Sequence, residues 1–565
     1  MRQKVVQVLG FILAVVTTAI CATAAQQPQT VPAQSAAAPY VESFDVEIHN
    51  IDVVVTDRRG NPVAGLRQAD FEVLEDKARQ PISNFSEFRA EGAALSASSD
   101  TSSPAADNVT QSRKFVFIID DLSLHPRTRE KLREELASFI TTMMRNGDEA
   151  MIVRPEARNR NQIRLRFTAN QATVLAAIDE IISVESRTHV DRAVDQEMIR
   201  SRSDLDIDGT ELRSAMTSMY AADVARRVQK TLAHLSSIVN ALAEVPGKKS
   251  VIMMTESLPA ITGRDLYPLV SNFGASDCSG LEMDCGVVDL RPVVREIAEE
   301  ASSNGITIYA FQPEYNLALS APGLGAESRS RSTPRQDRSN RYFQRTVADT
   351  QETFEILTER TGGAWDRGHA NADKLFDRIE RDHEAYYSIG YRPTSAVANR
   401  TRHIQVRING RPELRVRTRQ DVIRKTPVQE MNDLVVASLM YPKEVDELSI
   451  EANAGDARGT RGTYLVPVEV HIPISSLTLL PDGQNYRGSF TVHYAAQSDR
   501  GDFSSGVSQE QVVVIPAADI ETAREKTWTH TSQVRVPKGR VSIAVGVLDP
   551  VSRLSSFKTL EVDAR

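Results

Sequence analysis

The chain has 565 residues, 41% hydrophobic and 25% charged, with 67 Lys+Arg against 75 Asp+Glu for a net charge of −8. At about 150 residues per domain this suggests three to four domains, and the ordinary globular balance excludes a mainly disordered, collagen-like or polytopic membrane chain. The acidic excess lacks the footprint of a nucleic-acid binder, and three cysteines exclude a disulfide-dense scaffold or a four-cysteine metal centre.

Residues 1–25 read as an export signal. Arg2 and Lys4 precede an apolar run from Val5 to Ala19, and the small residues Ala22-Thr23-Ala24-Ala25 follow, as at a leader cleavage site. A retained anchor is the alternative reading. The expected product is periplasmic or extracellular, with no integral span after cleavage, because no later stretch offers ~18 apolar residues. Cleavage removes two positive charges and Cys21, moving the net charge from −8 to −10. Cys278 and Cys285 remain; in an oxidising compartment they are expected to close a small loop as a disulfide, with two free thiols as the alternative.

Residues 26–43, rich in Gln, Pro, Ala and Ser, form a linker. A small β domain is expected over 44–88, with strands at 45–55, 71–75 and 81–88 and a turn over 57–62. A second linker fills 89–112. From 113 to 425 strand and helix patterns alternate. Phe115-Val-Phe-Ile-Ile119 is a continuous apolar run, as in a strand buried on both faces. Leu132, Leu136, Phe139, Ile140 and Met143 share one helical face, and Ser250-Val-Ile-Met-Met-Thr255 is another buried strand. Residues 316–340 are a polar insertion carrying Arg329, Arg331, Arg335 and Arg338, with Arg341 directly after it. That cluster is a solvated loop or a contact for an anionic glycan or lipid. Residues 426–565 alternate with Gly/Pro/Asp turns and are expected to form a β-sandwich. The expected class is therefore α/β, a doubly wound, mostly parallel sheet flanked by a small N-terminal β domain and a C-terminal β-sandwich.

Chemistry concentrates at two strand ends. Asp120, Asp121 and Ser123 end one buried strand, and Thr255 and Glu256 end another. Ligands of open α/β sheets bind at the carboxyl ends of the strands. A hard divalent cation takes carboxylate, hydroxyl and water oxygens. The alternative is local: Asp and Ser there cap the helix starting near Pro126.

The chain resembles the VWFA-related domain family of secreted acidobacterial proteins. The resemblance rests on Val53-Val-Val-Thr-Asp57-Arg-Arg-Gly60, Pro62-Val-Ala-Gly-Leu66, Asp70-Phe71-Glu-Val-Leu-Glu75-Asp76, Phe115 to Ser123, Gly247-Lys-Lys-Ser-Val-Ile-Met-Met-Thr-Glu256, Thr361-Gly362-Gly363 and Tyr386-Tyr387-Ser-Ile-Gly390-Tyr391. It implies a von Willebrand factor A-like fold for 113–425 and a metal-ion-dependent adhesion site. The metal ligands would be Asp120 or Asp121, Ser123 and Glu256, holding Mg²⁺, or Mn²⁺ or Ca²⁺. The sequence departs from that site's pattern: His125 stands at the second Ser, Glu256 replaces Asp, and Thr188 and Thr210 both compete for the distant Thr.

No nucleophile elbow, Walker loop or His-Glu-x-x-His is present, so no enzyme activity is expected. The expected function is that of an exported binding or adhesion protein taking a protein partner at this rim. A metal-independent structural or assembly module of the cell envelope is the alternative, ahead of a hydrolase of an envelope polymer. Trp365, Tyr386, Tyr387 and Tyr391 are expected to pack in the core rather than form a binding surface.

Overall fold

The computed structural model describes residues 48–89, 112–120, 123–124, 126–155, 161–183, 210–262, 288–313, 334–368, 372–393, 397–441, 445–460, 463–499 and 507–565. The signal and disulfide expectations, residues 1–25 and Cys278–Cys285, lie outside them.

The apolar runs of the central region build one mixed sheet. Its strands are β5 (Arg113–Ile119), β6 (Glu149–Pro155), β7 (Asn161–Thr168), β8 (Lys248–Met254), β11 (Ile306–Pro313) and β12 (Ala364–Gly368), in the order β12-β11-β8-β5-β6-β7. All neighbours run parallel except β7, which closes one edge antiparallel to β6. Alternate side chains serve two cores. Val116, Ile118, Val251 and Met253 pack with α3 (Thr210–Leu242), α4 (Arg291–Ser303) and α5 (Pro334–Thr361). Phe115, Phe117, Ile252 and Met254 pack with α1 (Pro126–Met143), α2 (Gln171–Ser183) and α6 (Asp373–Glu384). Gly247 turns the chain from α3 into β8 at φ 98°, where a side chain would strike the Ser112 backbone. The short strands β9 (Ile261–Thr262) and β10 (Val288–Asp289) pair antiparallel beside α3.

The N-terminal strands do not make sheets of their own. In one sheet, β1 (His49–Thr56) lies between β13 (Ala385–Tyr391) and β15 (Arg415–Thr418), and β4 (Ile82–Arg89) covers the other side of β13. In a second, β2 (Phe71–Glu75) lies between β3 (Ala78–Gln80) and β14 (Thr401–Ile408), with β16 (Asp421–Ile423) outermost. Ile51, Val53, Phe71, Val73, Tyr387, Ile389 and Tyr391 fill the core between them. The Tyr387 hydroxyl donates to Val63 O at 2.8 Å and accepts from Leu66 N at 3.1 Å, across 321 residues of sequence in the second case.

The last stretch opens with a helix, α7 (Pro427–Met440), then folds as two antiparallel sheets. β19 (Thr463–Pro473) carries β17 (Glu451–Ala454), β18 (Arg458–Thr460) and β23 (Thr527–Pro537). β21 (Asn485–Ser498) carries β20 (Leu480–Asp482), β22 (Val507–Pro516) and β24 (Gly539–Leu548), with β25 (Ser555–Ala564) beyond β24. The five-residue α8 (Ile520–Arg524) links β22 to β23. One core, from Leu448 to Ala564, lies between the sheets.

The expected class, a doubly wound, mostly parallel α/β fold with β flanks, is corrected. Among the described residues strand exceeds helix, and only one of their six sheets contains parallel pairs. The physical reason is periodicity. Strands such as β14, with burial alternating residue by residue, keep one face for water and pair antiparallel. Such strands outnumber the continuous apolar runs on which the expectation was built.

Candidate functional site at the strand ends

β5 and β8 are parallel neighbours with Ile119 opposite Met254. Both apolar runs therefore stop at one level, and the polar residues that follow, Asp120 and Thr255, emerge side by side. The ladder continues one step further: Asp120 N donates to Met254 O at 3.0 Å and Thr255 N to Phe311 O at 3.3 Å.

The side chains then tie a closed knot. Thr255 Oγ1 donates to Asp120 Oδ2 at 2.7 Å, and Ser123 N donates to Asp120 Oδ1 at 3.3 Å. Ser123 Oγ lies 3.0 Å from Asp120 O and 2.9 Å from Thr255 Oγ1, and it accepts Glu256 N at 3.0 Å. Gln312 from the end of β11 donates to Glu256 O at 3.3 Å. Asp120 is 8% exposed, Ser123 2% and Thr255 0%, so the two hydroxyls face inward.

Of the expected cation ligands, the structure brings together Asp120, Ser123 and the backbone of Glu256. Asp121 lies outside the described residues, as do His125 and Thr188; Thr210 begins α3. The described donors do not fit an open cation shell. Mg²⁺ needs about six oxygens converging at ~2.1 Å, whereas both hydroxyls here are committed to the knot. Among the described residues no group of three His, Cys, Asp or Glu side chains could hold a metal. Thr255, placed at its strand end by the sequence, was not counted among the ligands, yet its hydroxyl joins the two strand ends.

The opposite end of the mixed sheet is also polar. Lys248, the first residue of β8, lies 3.6 Å from the centre of the Tyr386 ring and donates to Asp382 O at 3.2 Å. Burial holds its pKa below the usual lysine range. Arg417 grips Asp382 through both guanidinium ends, and the Tyr309 hydroxyl donates to the same carboxylate at 3.0 Å. His383 is buried; its Nδ1–H donates to Ile379 O at 2.8 Å, so Nε2 accepts from Ser250 Oγ at 3.2 Å. Burial pushes its pKa well down. Tyr386, Tyr387 and Tyr391 are all buried and serve packing.

No protein-family model matches the chain, and no curated protein matches it in sequence. Among solved structures it is similar to the conserved hypothetical protein BatB from Bacteroides thetaiotaomicron, at 10% identity and a TM-score of 0.21, over 48% of this chain and 96% of that one. It is similar to an aerotolerance-related membrane protein from Bacteroides fragilis at 11% identity and a TM-score of 0.20, over 47% and 99% of the two chains. Proximal thread matrix protein 1 from the mussel byssus aligns at 10% identity and a TM-score of 0.23, over 50% and 49%. Likenesses this distant carry no argument about function. No helix among the described residues is long and apolar enough to cross a membrane.

Proposed function

We propose that the chain is an exported, non-enzymatic binding or assembly module that engages a protein partner without a divalent cation at its rim. The closed hydrogen-bonded knot of Asp120, Ser123, Thr255 and Glu256 N carries this reading. It ties Asp120 and Ser123 to the end of β8 through side-chain and backbone groups together and leaves both hydroxyls buried. Among the described residues Ser123 Oγ accepts the Glu256 N–H and has Thr255 Oγ1 and Asp120 O beside it, none of them the base a serine nucleophile needs. Export rests on the leader-like residues 1–25.

The test is calorimetric titration of the mature protein with Mg²⁺, Mn²⁺ and Ca²⁺, paired with partner capture from the native envelope with and without chelator. No saturable heat and chelator-independent capture are expected. A one-to-one binding heat abolished by Asp120→Asn or Asp121→Ala would restore the cation reading. Turnover of peptide, ester or glycan probes lost on Ser123→Ala would restore an enzyme.

A further inference from the structure

A cavity of about 640 Å³ opens where the turn after β1, the helix α6 and the strand β15 meet. Six arginines line it: Arg58 and Arg59 from the turn, Arg378 and Arg381 from α6, Arg415 and Arg417 from β15. No lysine lines it, and the only carboxylates are Asp57 and Asp382. Both are already engaged. Asp57 accepts Arg59 N at 2.8 Å, Asn61 N at 2.9 Å and Asn61 Nδ2 at 3.1 Å, holding its own turn. Asp382 is held by Arg417 and Tyr309. Arg381 Nε donates to Asp377 O at 3.1 Å. Arg58, Arg59, Arg378 and Arg415 have no ion-pair partner among the described residues. Four guanidinium groups outside any ion pair among the described residues thus converge from three elements in a chain whose net charge is −8.

We infer that this cavity binds an anion carrying two or more phosphate groups. Arginine presents a planar fork of donors that matches phosphate oxygens two at a time. Two phosphates at about −1.5 to −2 each neutralise four such groups. Burial and the like charge of Arg417 depress the Arg378 pKa, with Asp382 opposing them. The cavity lies on the Lys248 side of the sheet, away from Asp120, so its failure leaves the rim reading untouched.

The source of the phosphates is a soluble oligophosphate or the head groups of an anionic membrane, and two probes separate them. One is tripolyphosphate, by calorimetry, with orthophosphate as the single-group control. The other is phosphatidylcholine vesicles with and without phosphatidic acid, by co-sedimentation. Saturable tripolyphosphate binding, stronger than orthophosphate and steeply weakened by salt, is expected. Arg58→Gln/Arg59→Gln should weaken it about tenfold or more, as should Arg378→Gln/Arg415→Gln. The first pair lies on an exposed turn, so its loss of binding does not come from unfolding. Retention only on phosphatidic acid vesicles, lost in both variants, assigns the site to membrane head groups. Absence of binding to either probe, or binding unchanged in both double variants, overturns the inference.

Discussion

Thr255 holds the rim through one hydroxyl. Thr255→Val keeps its shape but removes the hydroxyl that donates to Asp120 Oδ2 at 2.7 Å, a hydrogen bond to a buried charged group. The expected cost is about 1–3 kcal/mol, measured by urea denaturation. Lys249 makes a second prediction. Its Nζ donates to Ala243 O at 2.8 Å, and burial lowers its pKa to about 8, with Glu244 opposing and Lys425 and Arg419 reinforcing the shift. Below about pH 8 both folded and unfolded states hold the proton. Between there and the ordinary lysine value the unfolded chain binds more protons, so stability rises with pH. A gain of about 2 kcal/mol from pH 8 to 9.5 is expected, and Lys249→Met should remove most of it. At this scale the sequence disclosed the chemistry of the rim residues but not their partners. Asp120 and Ser123 stood out as a polar pair after an apolar run. That their hydroxyl and carboxylate groups would satisfy one another depended on Thr255, 135 residues away from Asp120.

The helix α7 shows a signal that was present in the sequence and passed over. Residues 426–565 were expected to be all β, yet Thr426-Pro-Val-Gln429 is a capping box. Thr426 Oγ1 accepts Gln429 N at 3.3 Å, the Gln429 side chain accepts Thr426 N at 3.1 Å, and Pro427 begins the first turn. The β reading won because the sandwich strands that follow alternate so clearly. The helix joins two cores: Ala437 and Met440 pack with the mixed sheet, while Met431, Val435 and Leu439 pack on Ala495, Ala544 and Phe557 of the sandwich. Thr426→Ala should cost ~1 kcal/mol. Gly546 on β24 faces Val435 and Met431 so closely that a side chain there has no room. Gly546→Val should destabilise by about 1–3 kcal/mol or more, read as a fall in thermal midpoint, whereas the same change at the open Gly410 turn brings strain without a clash.

Across the whole molecule, buried histidines set an acid limit. His493 is 0% exposed; its Nδ1–H donates to Asn432 Oδ1 and its Nε2 accepts from Thr491 Oγ1, each at 2.7 Å. Burial brings its pKa to about 4. As pH falls from 6.5 towards 4 the unfolded chain takes up protons that the folded chain refuses, so stability is lost through that window. His383 acts in the same direction. The denaturation midpoint should therefore drop between pH 6.5 and 4.5, less steeply in His493→Gln. Strands in the middle of the chain were visible from their apolar runs, and several strands after residue 463 from their alternation. The partners of the first strands were not. Alternation along β1 or β2 specifies a buried face but not which distant strand covers its edge.

That pairing has a consequence for how the polypeptide comes into being. β1 is flanked by β13 and β15, so the segment made first must wait, its hydrogen-bonding edges bare, until more than three hundred further residues have been synthesised; the Leu66–Tyr387 contact alone closes a loop of 321. During that interval Ile51, Val53 and Val73 lack the cover of Tyr387, Ile389 and Tyr391, and bare strand edges invite mispairing with neighbouring chains. Newly made chains should accordingly depend on a holding chaperone until the Tyr386–Tyr391 strand arrives, and truncation anywhere before it should yield an aggregate rather than a shorter working protein.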